Sequence, residues 1–219
     1  MNPKTDFSIR SFKGGYDKNF TYLITCFRTG THTFVDAAVD LNVIKPFIKN
    51  RPKAILITHS HGDHIAFLNQ YLKEYPDLVI VGHPETDNSI FDGKYQKILD
   101  GQSFSLGAIG GKALHTPGHY FDCISYHMES VLFTGDTLFV GRTGRVINAK
   151  SDIKALYESV YKIILALPQN TRIYPGHDYG KTPTITIREN ISISPLLQAK
   201  NFEDFKNIMH HYEKTRSPE

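Results

Sequence analysis

Thr58-His59-Ser60-His61-Gly62-Asp63-His64 follows an apolar run, Lys53-Ala-Ile-Leu-Ile-Thr58, whose β-branched content reads as a strand. Beyond it Ile65, Leu68 and Leu72 recur at helical spacing, which predicts a helix over His64–Tyr75 that Pro76 ends. A strand therefore runs into a loop that carries four ligand-capable side chains. In such a loop alternate residues face one way, so His59 and His61 can meet at one ion while Asp63 and His64 turn toward a second. Imidazole and carboxylate without thiolate suit zinc, iron or manganese. A polar turn that merely happens to be rich in histidine, with His64 capping the helix, is the weaker account of this spacing.

Three further segments share the construction of an apolar strand ending in a small turn with one ligand. Thr116-Pro-Gly-His119 and Tyr174-Pro-Gly-His177 each offer a histidine, and Phe133-Thr-Gly-Asp136 offers a carboxylate able to bridge two ions. Glycine lets the backbone pass close to an ion with no side chain in the way. Together the segments complete two sets: His59, His61 and His119 around one metal, Asp63, His64 and His177 around the other, with Asp136 between.

Working outward, Tyr22–Phe27, Thr33–Val35, Leu78–Val81, Lys112–His115, Ile124–His127, Val131–Thr134 and Thr171–Tyr174 read as strands. Leu41–Lys49 reads as a short helix interrupted at Pro46. Ser151 reads as the N-cap of a helix whose apolar face is Ile153, Leu156, Tyr157, Val160, Ile163, Ile164 and Leu167. Phe202, Phe205, Ile208, Met209 and Tyr212 mark one modest helix near the end, with Phe202, Phe205 and Met209 expected in the core. No linker or low-complexity tract divides the chain. One domain over residues 1–219 is expected, with a short C-terminal helical extension from about residue 191, and two similar halves suggest packed sheets with helices outside.

With 25 Lys+Arg against 22 Asp+Glu, the net charge of +3 is too small and too evenly spread to predict a nucleic-acid or membrane surface. Met1–Arg10 carries Lys4, Asp6 and Arg10 and no apolar run, so no secretory leader is expected, and no stretch approaches the roughly 18 apolar residues of a membrane span. Cys26 and Cys123 form no ligand pair and no disulfide framework, which suits a reducing, cytoplasmic setting. His32, His83, His115, His127, His210 and His211 match none of the turns and are expected to be solvated or core residues, with His115 near enough to His119 to support it.

The order H-x-H-x-D-H, TPGH, TGD and YPGH, from Tyr22 to Tyr179, resembles the metallo-β-lactamase superfamily. The resemblance implies an α/β fold, a four-layer αββα sandwich with metals at one edge between the sheets. Lactam-cleaving members usually place a cysteine in the second site, diiron oxygen reductases have a glutamate where His61 stands, and tRNA-processing nucleases carry a protruding arm and a basic surface. What remains is similar to the glyoxalase II thioesterases and the related persulfide dioxygenases, both acting on glutathione-linked substrates. The run Gly135–Arg145 resembles the glyoxalase II loop that carries a basic residue for glutathione, which places Arg145 at substrate, with Ile147 where that family has an aromatic. Val146-Ile147-Asn148 replaces the Thr-Asp-Phe of the dioxygenases. Tyr179 matches a substrate-side tyrosine of the thioesterases, while the short ending looks more like the dioxygenases.

The leading expectation is a metal-dependent hydrolase of a thioester or related small acyl substrate. Two divalent ions (Zn, Fe or Mn) would lower the pKa of a shared water, and the hydroxide so held would attack the carbonyl. Asp63 would orient it and take its proton, while Arg145 and Tyr179 grip the substrate's polar end. The alternative is a glutathione-persulfide dioxygenase with one Fe(II) on His59, His119 and Asp136. A weaker one is a metal-binding protein without catalysis, whose signature, a missing ligand, is not found.

Overall fold

A computed structural model describes residues 6–215, so Lys4 and the ends of the expected 1–219 domain lie outside the described residues. The short β-branched runs assemble into two six-stranded sheets. The first holds β1 (Phe7–Gly14), β2 (Asn19–Cys26), β3 (His32–Val35), β4 (Ala54–Leu56), β5 (Val79–Gly82) and β6 (Lys94–Lys97) in sequence order. The second holds β7 (Ser103–Leu106), β8 (Ile109–His115), β9 (Ile124–Met128), β10 (Val131–Gly135), β11 (Arg172–Pro175) and β12 (Ile185–Thr186), also in order from one edge to the other. Each sheet begins with antiparallel hairpins and then turns parallel, between β3 and β6 in one and between β10 and β11 in the other. This is the repeated half that the sequence suggests.

Strands buried on both faces read as continuous apolar runs, and β4 shows why. Leu56 faces the other sheet, with Tyr22, Ile24, Tyr126 and Phe133, while Ile55 faces outward with Phe34 and Ile80. That outer face is covered by α1 (Leu41–Ile44) and α2 (Leu68–Glu74), through Ile44, Leu68, Tyr71 and Leu72. On the far side α3 (Ile153–Glu158), α4 (Ile187–Ile193) and α5 (Phe202–Thr215) cover Leu132 and Ile173 with Leu156, Ile187, Phe205 and Met209. The layers are helix, sheet, sheet, helix, the αββα sandwich that the resemblance implies.

Several boundaries differ from the sequence reading. The helix expected from His64 starts at Leu68, because the backbone before it bonds to the segment just past β3: Ala37 N–H donates to the His64 carbonyl and Phe67 N–H to the Ala37 carbonyl. Asp152, not Ser151, caps α3, accepting from the N–H groups of Lys154 and Ala155, while Ser151 donates to the His119 carbonyl at 2.6 Å. After Glu158 that helix continues as a π-turn over Ser159–Ile164, where Ser159 donates to the Pro117 carbonyl. The ending holds more than one helix: a capping box of Thr186 and Glu189 starts α4, a 3-10 turn follows at Pro195–Leu197, then α5. As expected, Pro46 interrupts the helix after Leu41. Among the described residues no helix is long and apolar enough to cross a membrane, and Cys26 and Cys123 are buried free thiols.

The loops that leave β3, β4, β8, β10 and β11 gather at one edge between the sheets. Backbone bonds stitch that edge: Ile124 N–H to the Thr58 carbonyl at 2.7 Å, Phe20 N–H to Gly176 at 2.7 Å and Gly176 N–H to Gly135 at 2.8 Å.

Candidate metal centre

Every donor expected from the sequence arrives at this edge. His59, His61 and His119 form one group, Asp63, His64 and His177 another, and His59, His64 and Asp136 a third that joins them, with donor atoms within 4.8 Å of one another in each group. His59 Nε2 lies 2.9 Å and His119 Nε2 3.0 Å from His61 Nδ1. His64 Nε2 and His177 Nε2 are 3.2 Å apart, and His177 Nε2 is 3.3 Å from Asp63 Oδ2. Asp136 reaches both sets, with Oδ1 3.1 Å from His64 Nε2, and Oδ2 3.2 Å from His177 Nε2 and 3.6 Å from His119 Nε2.

The outer nitrogens of four rings are committed elsewhere, and this fixes what the inner ones can do. His64 Nδ1 donates to Asp36 at 2.8 Å, His119 Nδ1 to the Arg145 carbonyl at 2.9 Å and His177 Nδ1 to the Asp17 carbonyl at 2.6 Å. Thr58 spends its hydroxyl proton on Asp36, so His59 Nδ1 donates to the Thr58 oxygen at 3.2 Å. Each of these four rings turns its Nε2 inward, toward other ring nitrogens and carboxylate oxygens. Asp136 Oδ1 is accordingly a buried acceptor with no donor. Such an arrangement repels itself unless positive charge sits within it. Nitrogens at about 2.05 Å from a tetrahedral ion lie roughly 3.3 Å apart, close to the spacings found here, so the residues fit two divalent ions.

Electrostatics point the same way. Burial, reinforced by His64, holds His59 well below the usual imidazole range, and burial with His119 pushes His61 down to about 4, so both rings stay neutral and ligand-ready. Burial would do the same to His64 and His177, but the adjacent Asp136 outweighs it, helped by Asp36 at His64 and by Asp63 at His177, which rises to about 10. Against their burial, Asp63 and Asp136 are held below the usual carboxylate range by the histidines beside them. The second set thus holds protons where cations would replace them.

Glycine makes this crowding feasible at Gly176, where a Cβ would come within 2.6 Å of His64 Cε1 and would also strike Asp136. Asp36 adopts a left-handed φ of 58° and is almost fully buried, which lets its carboxylate turn back to Thr58 and His64.

A hollow of about 190 Å³ opens over the donors, walled by Asp17, Phe139, Arg145 and Tyr179. Both residues expected at substrate line it, and both are engaged. Tyr179 stacks on His177, with ring centres 4.7 Å apart, and donates to Asp17 Oδ2. Arg145 Nε donates to Glu213 at 2.8 Å. Arg142 lies 4.0 Å from the Tyr179 ring and donates to the Tyr212 hydroxyl. Ile147, at the position of the expected aromatic, is exposed and outside the hollow. His32 and His83 are buried, His210 and His211 exposed, and His115 stacks on His83 and bonds the Phe121 carbonyl without touching the donors.

Sequence reasoning missed Asp36, Asn19, Asp17 and Glu213. Asn19 donates to Asp63 at 2.8 Å and meets His177, but nothing near it in sequence marks it. Asp36 had a signal, since Thr33-Phe-Val-Asp36 is another apolar strand that ends in an acid.

This chain belongs to the metallo-beta-lactamase superfamily, whose family model matches residues 17–177. Within it, the chain is 33% identical over 195 residues to a hydroxyacylglutathione hydrolase of Francisella philomiragia, covering 87% of this chain and 73% of the relative. It spans about two thirds of the length of other hydroxyacylglutathione hydrolases that it matches. Among solved structures it is similar to ETHE1 from Myxococcus xanthus, at 26% identity and a TM-score of 0.84, over 96% of this chain and 92% of that one. It is also similar to TTHA1623 in a di-iron-bound form, at 25% identity and a TM-score of 0.70, over 86% of this chain and 100% of that one.

Proposed function

We propose that this chain is a two-metal hydrolase of glutathione-linked thioesters, folded as one domain with α5 as its C-terminal extension, and that it works in the cytoplasm. The observation that carries the reading is the set of four inward Nε2 atoms, oriented by bonded outer nitrogens, with Asp136 between them. The hydroxyacylglutathione hydrolase relatives support the substrate class. The free buried thiols Cys26 and Cys123 suit a reducing compartment.

His59, His61 and His119 would hold one ion, Asp63, His64 and His177 the other, with Asp136 shared; zinc, iron and manganese all suit this donor set. When bound, such ions supply Lewis acidity, which lowers the pKa of water and draws charge from a carbonyl oxygen. The chain's own residues do the rest. Asp63, held below the ordinary carboxylate range and steadied by Asn19, orients the attacking water by accepting its hydrogen bond. Arg145 offers its exposed edge to a substrate carboxylate, and Tyr179, fixed by His177 and Asp17, forms the wall against which the thiol portion lies. Holding the acyl carbon beside the water makes the attack effectively unimolecular.

The test is hydrolysis of S-lactoylglutathione by metal-loaded protein, with metal analysis and an oxygen electrode alongside. Two metals per chain with thiol release and no oxygen uptake is the expected result. The likeness to ETHE1 over nearly the whole of both chains favours a second reading, a glutathione-persulfide dioxygenase with one Fe(II). One iron per chain with oxygen uptake on glutathione persulfide would replace the first reading with it.

A further inference from the structure

We propose that Glu213 is a specificity-determining residue: a carboxylate built into the chain that occupies one edge of Arg145 and limits how strongly the site draws anionic substrates. The inference rests on the reading above that Arg145 faces the substrate.

Arg145 Nε and a terminal nitrogen both reach the same oxygen of Glu213, Oε2, at 2.8 and 2.7 Å. A guanidinium carries five N–H groups, so the edge away from Glu213 stays open, and the side chain is 41% exposed where it lines the hollow over the metal centre. A substrate carboxylate can therefore bind, but it meets a cation whose charge is already shared. Glu213 is placed there at some cost. It stands in the last turn of α5, where the helix dipole disfavours a negative charge, and its other oxygen, Oε1, is buried without a partner. Nothing local to α5 favours that arrangement.

The helix is anchored so that Glu213 cannot simply withdraw. Phe205 and Met209, on the same face two turns and one turn earlier, are buried in the core under the second sheet. Next to Glu213, Tyr212 accepts a hydrogen bond from Arg142 at 3.1 Å. The main chain of Arg145 is held as well, because its carbonyl accepts from His119 Nδ1. With the Arg145 backbone held, and with glutamine keeping an acceptor oxygen for the guanidinium, removing the negative charge alone changes the field at the open edge more than the shape of the site. Two like charges on opposite edges of one guanidinium, at partial exposure, oppose each other by about three- to tenfold in binding.

The experiment compares metal-loaded wild type, E213Q, R145M and the E213Q/R145M pair on S-lactoylglutathione and on an N-acetylcysteamine thioester, which carries no carboxylate. Expected for E213Q is a KM for S-lactoylglutathione lowered about three- to tenfold, an effect that shrinks as salt is added, with no shift for the neutral thioester. R145M raises KM for the charged substrate, and adding E213Q to it gives no gain. A KM that rises alike for both substrates, or does not move, overturns the proposal, since a purely structural prop would behave so. E213A repeats the comparison if thermal unfolding shows the amide to be poorly housed. Should the wild type turn over neither thioester, the hydrolase reading fails, and titration of glutathione into metal-loaded wild type and E213Q decides this inference separately. Tighter binding by E213Q upholds it, and no tightening overturns it.

Discussion

Asp36→Asn tests how the centre is oriented, without touching any of its inward-facing donors. Asp36 accepts from Thr58 N–H, the Thr58 hydroxyl and His64 Nδ1, each at 2.8 Å. Asparagine tolerates the left-handed φ of 58° at this position, so the backbone should survive the change. Its oxygen can keep the bond from Thr58 N–H. Its NH2 group, however, now faces two groups that donate. The relief open to His64 is to shift its proton to Nε2, which leaves Nδ1 to accept from the amide. That proton then sits on the nitrogen aimed at Asp136 and the second metal position. Loss of such an orienting partner costs about 10–100-fold in metal affinity, or about 1.4–2.7 kcal/mol. A broken hydrogen bond to a charged group adds about 1.5–3 kcal/mol to the loss of fold stability. A competition titration with a chromophoric chelator and zinc reads the first quantity, and urea unfolding of the metal-free protein reads the second. A folded D36N that binds its second zinc within twofold of wild type would refute the tautomer argument.

Stripping both metals with a chelator should lower Tm by about 16–32 °C, since each of two ions at a thousand times its Kd contributes about 4 kcal/mol and a chain of this size shifts about 2–4 °C per kcal/mol; calorimetry with and without zinc measures it. Gly176→Ala should push His64 and Asp136 apart and cost about 1–3 kcal/mol, with reduced metal content by elemental analysis as its signature. Phe205→Ala, at a fully buried position, should cost about 3–5 kcal/mol in denaturant unfolding and weaken the seat of α5. Asn19→Ala should lower kcat on S-lactoylglutathione more than it raises KM, because the Asn19 amide N–H holds the Asp63 carboxylate and meets the wall only at the Asp17 backbone N–H; an effect confined to KM would contradict that placement.

The donors were legible because each sits where a strand gives way to a glycine turn, and that context survives in one dimension. The groups that orient them were not. Asp17, in a turn, and Asn19, at the start of β2, look ordinary until folding brings them against His177, and Glu213 meets Arg145 across 68 residues of sequence. Helical periodicity before Leu68 misled for a different reason: residues 64–67 have the right apolar spacing, but the His64 carbonyl and the Phe67 N–H are spent on Ala37, just past β3, and tertiary bonding overrides local pattern. The edge strands β6 and β7 escaped for want of length: Ser103–Leu106 alternates polar with apolar over four residues only, and Lys94–Lys97 carries a single apolar side chain, Tyr95.

The placement of the centre at the seam between the sheets has a consequence for how the chain comes apart. His61 and His119 are 58 residues apart in sequence, and His64 and His177 are 113 apart. Metals held by such pairs act as reversible cross-links between distant parts of the folded chain, and unlike disulfides they stabilise that folded form rather than restrict the unfolded one. The donors can converge only after both sheets have formed and docked, so the cross-link belongs to the last stage of folding and is the first to be lost. Bound metal should then slow unfolding and leave the folding rate nearly untouched, which would make the metal centre the lock on the protein's lifetime as well as the seat of its chemistry.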